Sequence, residues 1–199
     1  MAQSNKTPPK TGDRRSERTQ RSLSEALVEL IKEKRFDEIT VQEVIDRADV
    51  GRSTFYSHFR DKEDLFQKDW ERFLDGFAQH IDWEKAGAGS FIPIVYLFSH
   101  LKDVQPFYQS LVRSGKTDAI FKSGLSHLSQ RMEVALTARG SGKRAPSVPV
   151  PILANYLASE LFALLQWWLD SGMPYSPPRM DEIYHELVTP TCRTVLVND

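Results

Sequence analysis

Residues 40–65, TVQEVIDRADVGRSTFYSHFRDKEDL, constrain the chain more than any other stretch, because they spell two short helices joined by a tight turn with a third helix directly behind. Thr40 followed three residues later by Glu43 fits a capping box, in which the hydroxyl takes an orphan backbone N–H and the glutamate bonds back to the cap. A helix therefore starts near Val41, and Val44, Ile45 and Ala48 continue its buried face at three-and-four spacing. Asp49, Val50 and Gly51 interrupt it, and Gly51 is expected to supply a backbone conformation costly to other residues. A turn of this length holding a glycine sets two helices roughly perpendicular, the layout of a helix-turn-helix.

In the second helix Val50, Phe55 and Phe59 can point inward, which leaves Arg52, Ser53, Thr54, Tyr56, Ser57 and His58 for a partner. All six can hydrogen-bond, and no acidic residue lies between Val50 and Arg60, so the local field suits a phosphate backbone. Residues 61–64 open another helix, whose positive dipole end with Lys62 makes a phosphate clamp. The DNA-binding set is thus Thr40, Arg52, Ser53, Thr54, Tyr56, Ser57, His58 and Lys62. Each has a plainer reading: Tyr56 as a core aromatic, Thr40 as a helix cap first, Arg52 as the counter-charge of Asp49, His58 as a surface hydrogen-bonding group.

These residues together resemble the N-terminal domain of the TetR family of transcriptional regulators, over about residues 19–66. The resemblance rests on an apolar first helix ending in Phe36, on Ile39, Thr40 and Val41, on the run RSTFYSHF at 52–59, and on Lys62, Glu63, Asp64 and Leu65. It implies that Thr54 and Tyr56 hold phosphates or touch bases and that Lys62 meets a phosphate. Gly51 departs from the family, which more often has Ser or Thr there, and is a weaker cap by roughly a few tenths of a kcal/mol. The implied fold is all-α: an N-terminal three-helix helix-turn-helix DNA-binding domain and a C-terminal helical ligand-binding and dimerisation domain.

The boundaries expected are a disordered basic arm over 1–15, the DNA-binding domain over 16–64 and the helical domain over 65–199. A 40% apolar and 11% aromatic content supports a sizeable core. The formal charge is only −1, yet residues 1–21 hold six basic groups (Lys6, Lys10, Arg14, Arg15, Arg18, Arg21) against Asp13 and Glu17, an excess of four. Cations therefore concentrate where a duplex would lie, and the arm is expected to order on a minor groove. Nothing resembles a signal peptide, no run of 18 apolar residues exists, and the single cysteine, Cys192, precludes an internal disulfide; a cytoplasmic protein is expected. Cys192 itself reads as a small core or interface residue.

Periodicity predicts further helices over 15–33, with Leu23, Ala26, Leu27, Leu30 and Ile31 inward, and over 62–82, 91–101, 107–112, 118–138, 152–171 and 178–196, with a loop over 140–151. The fourth, roughly 30 Å long, suits transmission of movement between domains. Pro190 is expected to kink the last helix near Glu186. Residues 152–170 are apolar around most of the circumference, so that helix is either wholly buried or paired with a second copy. The resemblance implies that the last two helices build a dimer interface, assigned to Tyr156, Ser159, Ala163, Trp168, Ile183 and Leu187. Independently, two recognition helices must reach successive major grooves about 34 Å apart, which calls for a two-fold dimer on a palindrome.

A ligand pocket is assigned to Phe73, Phe77, Tyr96, His100, Phe107, Tyr108, Phe121, Leu125, Met132 and Trp167, a set that reads equally as ordinary core. If it is a pocket, the ligand is hydrophobic and modest in size. The expected function is a dimeric repressor released from its operator when an effector tilts the fourth helix. The alternative keeps the DNA-binding head and gives the C-terminal domain a protein partner. An enzyme is not expected, nor a cofactor or metal: no GxSxG, HExxH, Walker A or GxGxxG pattern occurs, and the histidines at 58, 80, 100, 127 and 185 lack metal-ligand spacing.

Overall fold

The structure, a computed structural model, describes residues 11–86, 90–103, 105, 108, 109, 112, 117–140 and 146–196. Among the described residues the chain is helical without strands: α1 (Thr11–Glu33), α2 (Val41–Ala48), α3 (Arg52–His58), α4 (Lys62–Gln79), α5 (Ile94–Asp103), α6 (Thr117–Gly140), α7 (Val150–Asp170) and α8 (Pro177–Leu196), with 3-10 turns at Phe36–Glu38 and Trp83–Lys85. Two compact units, Met1–Asp69 and Trp70–Asp199, divide inside α4. The expected arm lies outside the described residues as far as residue 10, and α1 begins at Thr11, four residues earlier than its apolar pattern suggested. Polar residues carry no periodicity signal, so a sequence reading stops where the apolar stripe stops.

In unit 1 the stripe Leu23, Ala26, Leu27, Leu30 and Ile31 of α1 closes over Val44 and Ile45 of α2 and Phe55 of α3, with Phe36, Ile39, Phe59 and Leu65 completing the core. Aromatic edges lock it: Phe36 meets Phe66 at 5.8 Å and Phe55 meets Phe59 at 5.9 Å between ring centres. The turn after α2 corrects the expectation for Gly51. That glycine is extended, at φ −71° and ψ 149°, a conformation open to any residue, whereas Asp49 takes the left-handed one at φ 53° and ψ 49°. Aspartate tolerates this better than most L-residues because its short side chain can bond locally.

Unit 2 packs α5, α6, α7 and α8 with the second half of α4 around Phe77, Phe98, Met132, Leu157, Leu161, Trp168 and Tyr184. Gly124 lets α6 approach closely: a Cβ there would stand 2.6 Å from Trp70 Nε1 and 2.8 Å from Phe162 Cζ. Asp75 of α4 receives Arg131 of α6 through Nε at 2.5 Å and a second guanidinium nitrogen at 2.8 Å, with His127 Nε2 at 2.6 Å. Arg131 first, and His127 with it, hold the Asp75 carboxyl below the usual carboxylate range.

The connection from α4 to α5 is fastened rather than free. Asp82 N donates to Phe91 O at 2.7 Å, and His185 of α8 accepts from Phe91 N at 3.1 Å and Ile92 N at 3.4 Å through Nε2. With Nε2 accepting, the ring proton sits on Nδ1 and is donated to Asp181 O at 2.8 Å. The end of α7 is a Schellman closure, with Met173 N on Trp168 O at 2.7 Å, Gly172 N on Leu169 O at 3.1 Å, and Gly172 at φ 76°. α8 stays helical through Pro190 to Leu196; the missing N–H falls on an exposed turn. Among the described residues no helix is long and apolar enough to cross a membrane, and no group of three His, Cys, Asp or Glu side chains gathers to hold a metal.

Candidate nucleic-acid interface

The capping box predicted for α2 is present in both directions. Glu43 N donates to Thr40 Oγ1 at 3.3 Å, while Thr40 N and Thr40 Oγ1 both donate to Glu43 Oε2 at 2.9 Å. The Thr40 hydroxyl is therefore engaged at the helix start, so its assignment as a phosphate ligand yields to its capping role. Lys34 joins the box by bonding the other oxygen of Glu43. That ammonium first, and the Thr40 groups after it, draw the Glu43 carboxyl down to about 2.

A depressed carboxyl contributes stability that is fully present above its unfolded pKa and is lost as pH falls through the folded one. Protection of the α2 amides against hydrogen exchange should therefore fall between about pH 4.5 and 2. Glu43→Gln should flatten that profile; an equally steep fall in the variant would show that another carboxylate controls α2.

Lys62 corrects the phosphate clamp. Its side chain is buried, and Nζ donates to Phe36 O at 2.6 Å, Asp37 O at 3.2 Å and Ile39 O at 2.5 Å while lying 5.0 Å over the Phe36 ring. An ammonium has three N–H groups, so none remains for a phosphate. Lys62 instead ties the first turn of α4 to the corner that leads into α2, and that corner positions Thr40.

On α3 the side chains of Arg52, Ser53, Tyr56 and Ser57 are exposed, and Thr54 is half-buried beside Gly51. Arg52 lies 5.9 Å over the Tyr56 ring, and Tyr56 is 49% exposed while its ring edge rests on Phe55 at 5.3 Å. Tyr56 is therefore anchored at its base and free at its hydroxyl. Ser57 Oγ donates to Thr54 O at 2.7 Å and keeps its acceptor lone pairs. His58 turns back toward α1, with Nδ1 3.4 Å from Gln20 Nε2, and this half-buried position corrects its assignment to the partner face.

Two basic residues on this side were not singled out in the sequence. Arg60 keeps its side chain 82% exposed while bonding Asp64, and Lys68 donates to His58 O at 2.9 Å, closing the C-terminal end of α3. Lys68 follows Asp64 at four-residue spacing, a signal that could have found it. The outcome is a short rigid helix carrying a cation, hydroxyls and a tyrosine on one face and Phe55 on the other. Such a face can bond phosphate oxygens and the base edges of a major groove.

The C-terminal assignments are partly gathered. Phe73 stacks on Tyr96 at 5.7 Å, on His100 at 4.2 Å and on Trp70 at 5.6 Å, and Tyr108 meets Phe121 at 6.2 Å. Phe77 and Met132 are sealed in the core, Phe107 lies outside the described residues, and Trp167, 48% exposed, is a surface residue rather than a pocket wall. An open groove of about 380 Å³ is lined by Tyr108 with Gln105, Gln109, Val112, Leu169, Asp170, Gly172 and Met173. In it Tyr108 Oη donates to Asp170 Oδ1 at 2.6 Å, and burial first, then this bond, push the phenol up. Of the dimer assignments, Trp168 is fully buried, with Nε1 donating to Tyr175 O at 2.9 Å, whereas Tyr156, Ala163 and Leu187 are exposed and Ser159 and Ile183 half-buried.

Residues 23–68 match the family model for bacterial regulatory proteins of the tetR family, and residues 93–190 match a transcriptional regulator C-terminal region. The chain belongs to the TetR family. Members of this family are transcriptional regulators that bind DNA, and these relatives are not enzymes. It is 24% identical over 97 residues to DhaS of Lactococcus lactis, a transcriptional activator of the dhaKLM operon, covering 47% of this chain and 48% of that protein. It is 31% identical over 70 residues to the regulator YxbF of Bacillus subtilis, covering 35% of this chain and 18% of that one. The match thus spans about half of one curated relative and under a fifth of the other.

Among solved structures, a TetR regulator from Streptococcus agalactiae shares 26% identity at a TM-score of 0.55, over 89% of this chain and 97% of that one. The dihydroxyacetone kinase operon activator DhaS superposes with a TM-score of 0.63 at 19% identity, over the same shares, which shows the TetR-family fold.

Proposed function

We propose that this regulator acts in the cytoplasm as a homodimer on a palindromic operator, as a repressor released by a small effector held in unit 2. The observation that carries the reading is the outer face of α7, where Ile152, Tyr156, Ala163 and Trp167 stand exposed along one stripe, with Leu187 of α8 63% exposed. A contiguous apolar stripe on a water-soluble surface marks an interaction site. A second copy on a two-fold axis covers it with the same residues and presents two α3 helices to successive grooves. Arg52, Ser53, Thr54, Tyr56 and Ser57 read the DNA.

The effector binds the groove beside Tyr108, with its apolar body on Val112, Leu169 and Met173 and its hydrogen-bonding end at Asp170. The volume suits a small molecule. Because α4 belongs to both units, it carries the effector's influence to the DNA-binding head. A protein partner in place of the small molecule is favoured by one observation: Val95 and Tyr96 of α5 are 40% and 55% exposed, on a different helix from the α7 stripe.

Leu187→Glu is expected to turn the dimer into monomers in sedimentation at micromolar concentration and to weaken binding to a selected palindrome at least tenfold, with the helical content kept. A variant that stays dimeric and binds as wild type would remove this face from the interface.

A further inference from the structure

The first half of α1 adds no described side chain to the core. From Arg15 to Ser22 no side chain is buried, the first core residue being Leu23, and residues 11–22 contain no apolar side chain. A polar helix of three turns is marginal by itself in water and gains from a partner. Its inward link is Gln20, whose amide reaches His58 at the end of α3. These turns therefore continue from the edge of the DNA-reading helix.

The arginines of unit 1 divide in two. Arg35, Arg47 and Arg60 each hold a carboxylate, on Asp37, on Glu33 and Glu29, and on Asp64. Arg15, Arg18 and Arg21 are exposed and, among the described residues, bond no carboxylate, although Glu17 stands four residues before Arg21. Among the arginines of unit 1 whose side chains are described, Arg52, on the recognition face, likewise bonds no carboxylate. Cations left without counter-charges beside a DNA-reading helix fit a polyanion.

We propose that the first turns of α1 extend the DNA-binding surface, with Arg15, Arg18 and Arg21 seated on backbone phosphates flanking each half-site. At three-residue spacing the trio spans about 9 Å of helix, the axial run of about three phosphates on one strand at 3.4 Å each. The contacts add affinity and footprint without reading sequence, since phosphates carry none. This inference rests on the operator-binding reading, and the experiment separates the two.

Affinity is measured against salt for the full chain and for an R15A/R18A/R21A variant on two duplexes sharing one selected palindrome, one ending at the palindrome and one carrying ten further base pairs on each side. Wild type should bind the longer duplex more tightly and with a steeper salt dependence. The variant should lose that difference, its log–log slope falling by about 0.9 for each phosphate contact removed, while matching wild type on the short duplex and in thermal unfolding. Arg-to-Lys replacement at all three positions should keep the steep slope, because the contact is one of charge. A variant with the wild-type slope and length dependence would overturn this inference and leave the operator reading standing; absence of any wild-type binding would overturn both.

Discussion

Lys62→Met is expected to destabilise unit 1 by about 2–4 kcal/mol, an effect larger than any phosphate contact would explain. The substitution keeps the volume of the side chain and removes the ammonium, leaving the carbonyls of Phe36, Asp37 and Ile39 without the donor they share. Bonds to a charged donor contribute about 1.5–3 kcal/mol each, and three to one ammonium are not additive, since relaxed carbonyls recover some water. Native-state hydrogen exchange over residues 36–45 measures it directly, and resolves the effect by unit where a single melt of two units would not. Unchanged protection with weaker, less salt-dependent DNA binding would return Lys62 to the phosphate role that its motif implied.

The second large effect separates two adjacent tryptophans. Trp168→Ala should cost about 3–5 kcal/mol, the range for emptying a fully buried aromatic site, because Trp168 packs on Phe98 at 4.8 Å and bonds Tyr175 O from inside the core. Trp167→Ala should cost the isolated subunit within about 0.5 kcal/mol, as exposed positions do, and weaken self-association tenfold or more, as removal of an interface anchor does. Thermal melts and sedimentation of both variants give the two numbers. Equal losses of fold stability would mean that Trp167 is held within its own subunit.

The same pair shows what the sequence made legible. Helix identities and the unit 1 core followed from spacing because each apolar stripe there is flanked by charge, so the phase of the helix is unambiguous. α7 has apolar residues on nearly every side, and its phase cannot be taken from hydropathy alone: Trp168 falls eleven residues, three turns, after buried Leu157, and Trp167 falls eleven after exposed Tyr156. Of the six positions assigned to a dimer interface, Tyr156, Ala163 and Leu187 are exposed, Ser159 and Ile183 half-buried and Trp168 fully buried.

On the DNA-reading face the exposed polar run Arg52, Ser53, Tyr56 and Ser57 was legible because Phe55 fixes the inward direction. His58 and Lys62 were not, since an imidazole or an ammonium satisfies a neighbouring amide or backbone carbonyl as readily as a phosphate. Hydropathy cannot say which, and only the positions of the Phe36, Asp37 and Ile39 carbonyls and of Gln20 decide. Gly51 misled for a related reason: a glycine in a turn signals a special conformation somewhere nearby, and here the neighbouring Asp49 adopts it.

The fastening of Phe91 to His185 joins residues 94 apart in the chain, so it cannot close until α8 has docked on the rest of unit 2. A bond that costs so much loop closure forms late and is absent from a folding nucleus built of nearer contacts. Interactions of that kind leave the rate of folding nearly untouched and slow unfolding instead. His185 thus bears on how long a folded subunit survives more than on how quickly it forms.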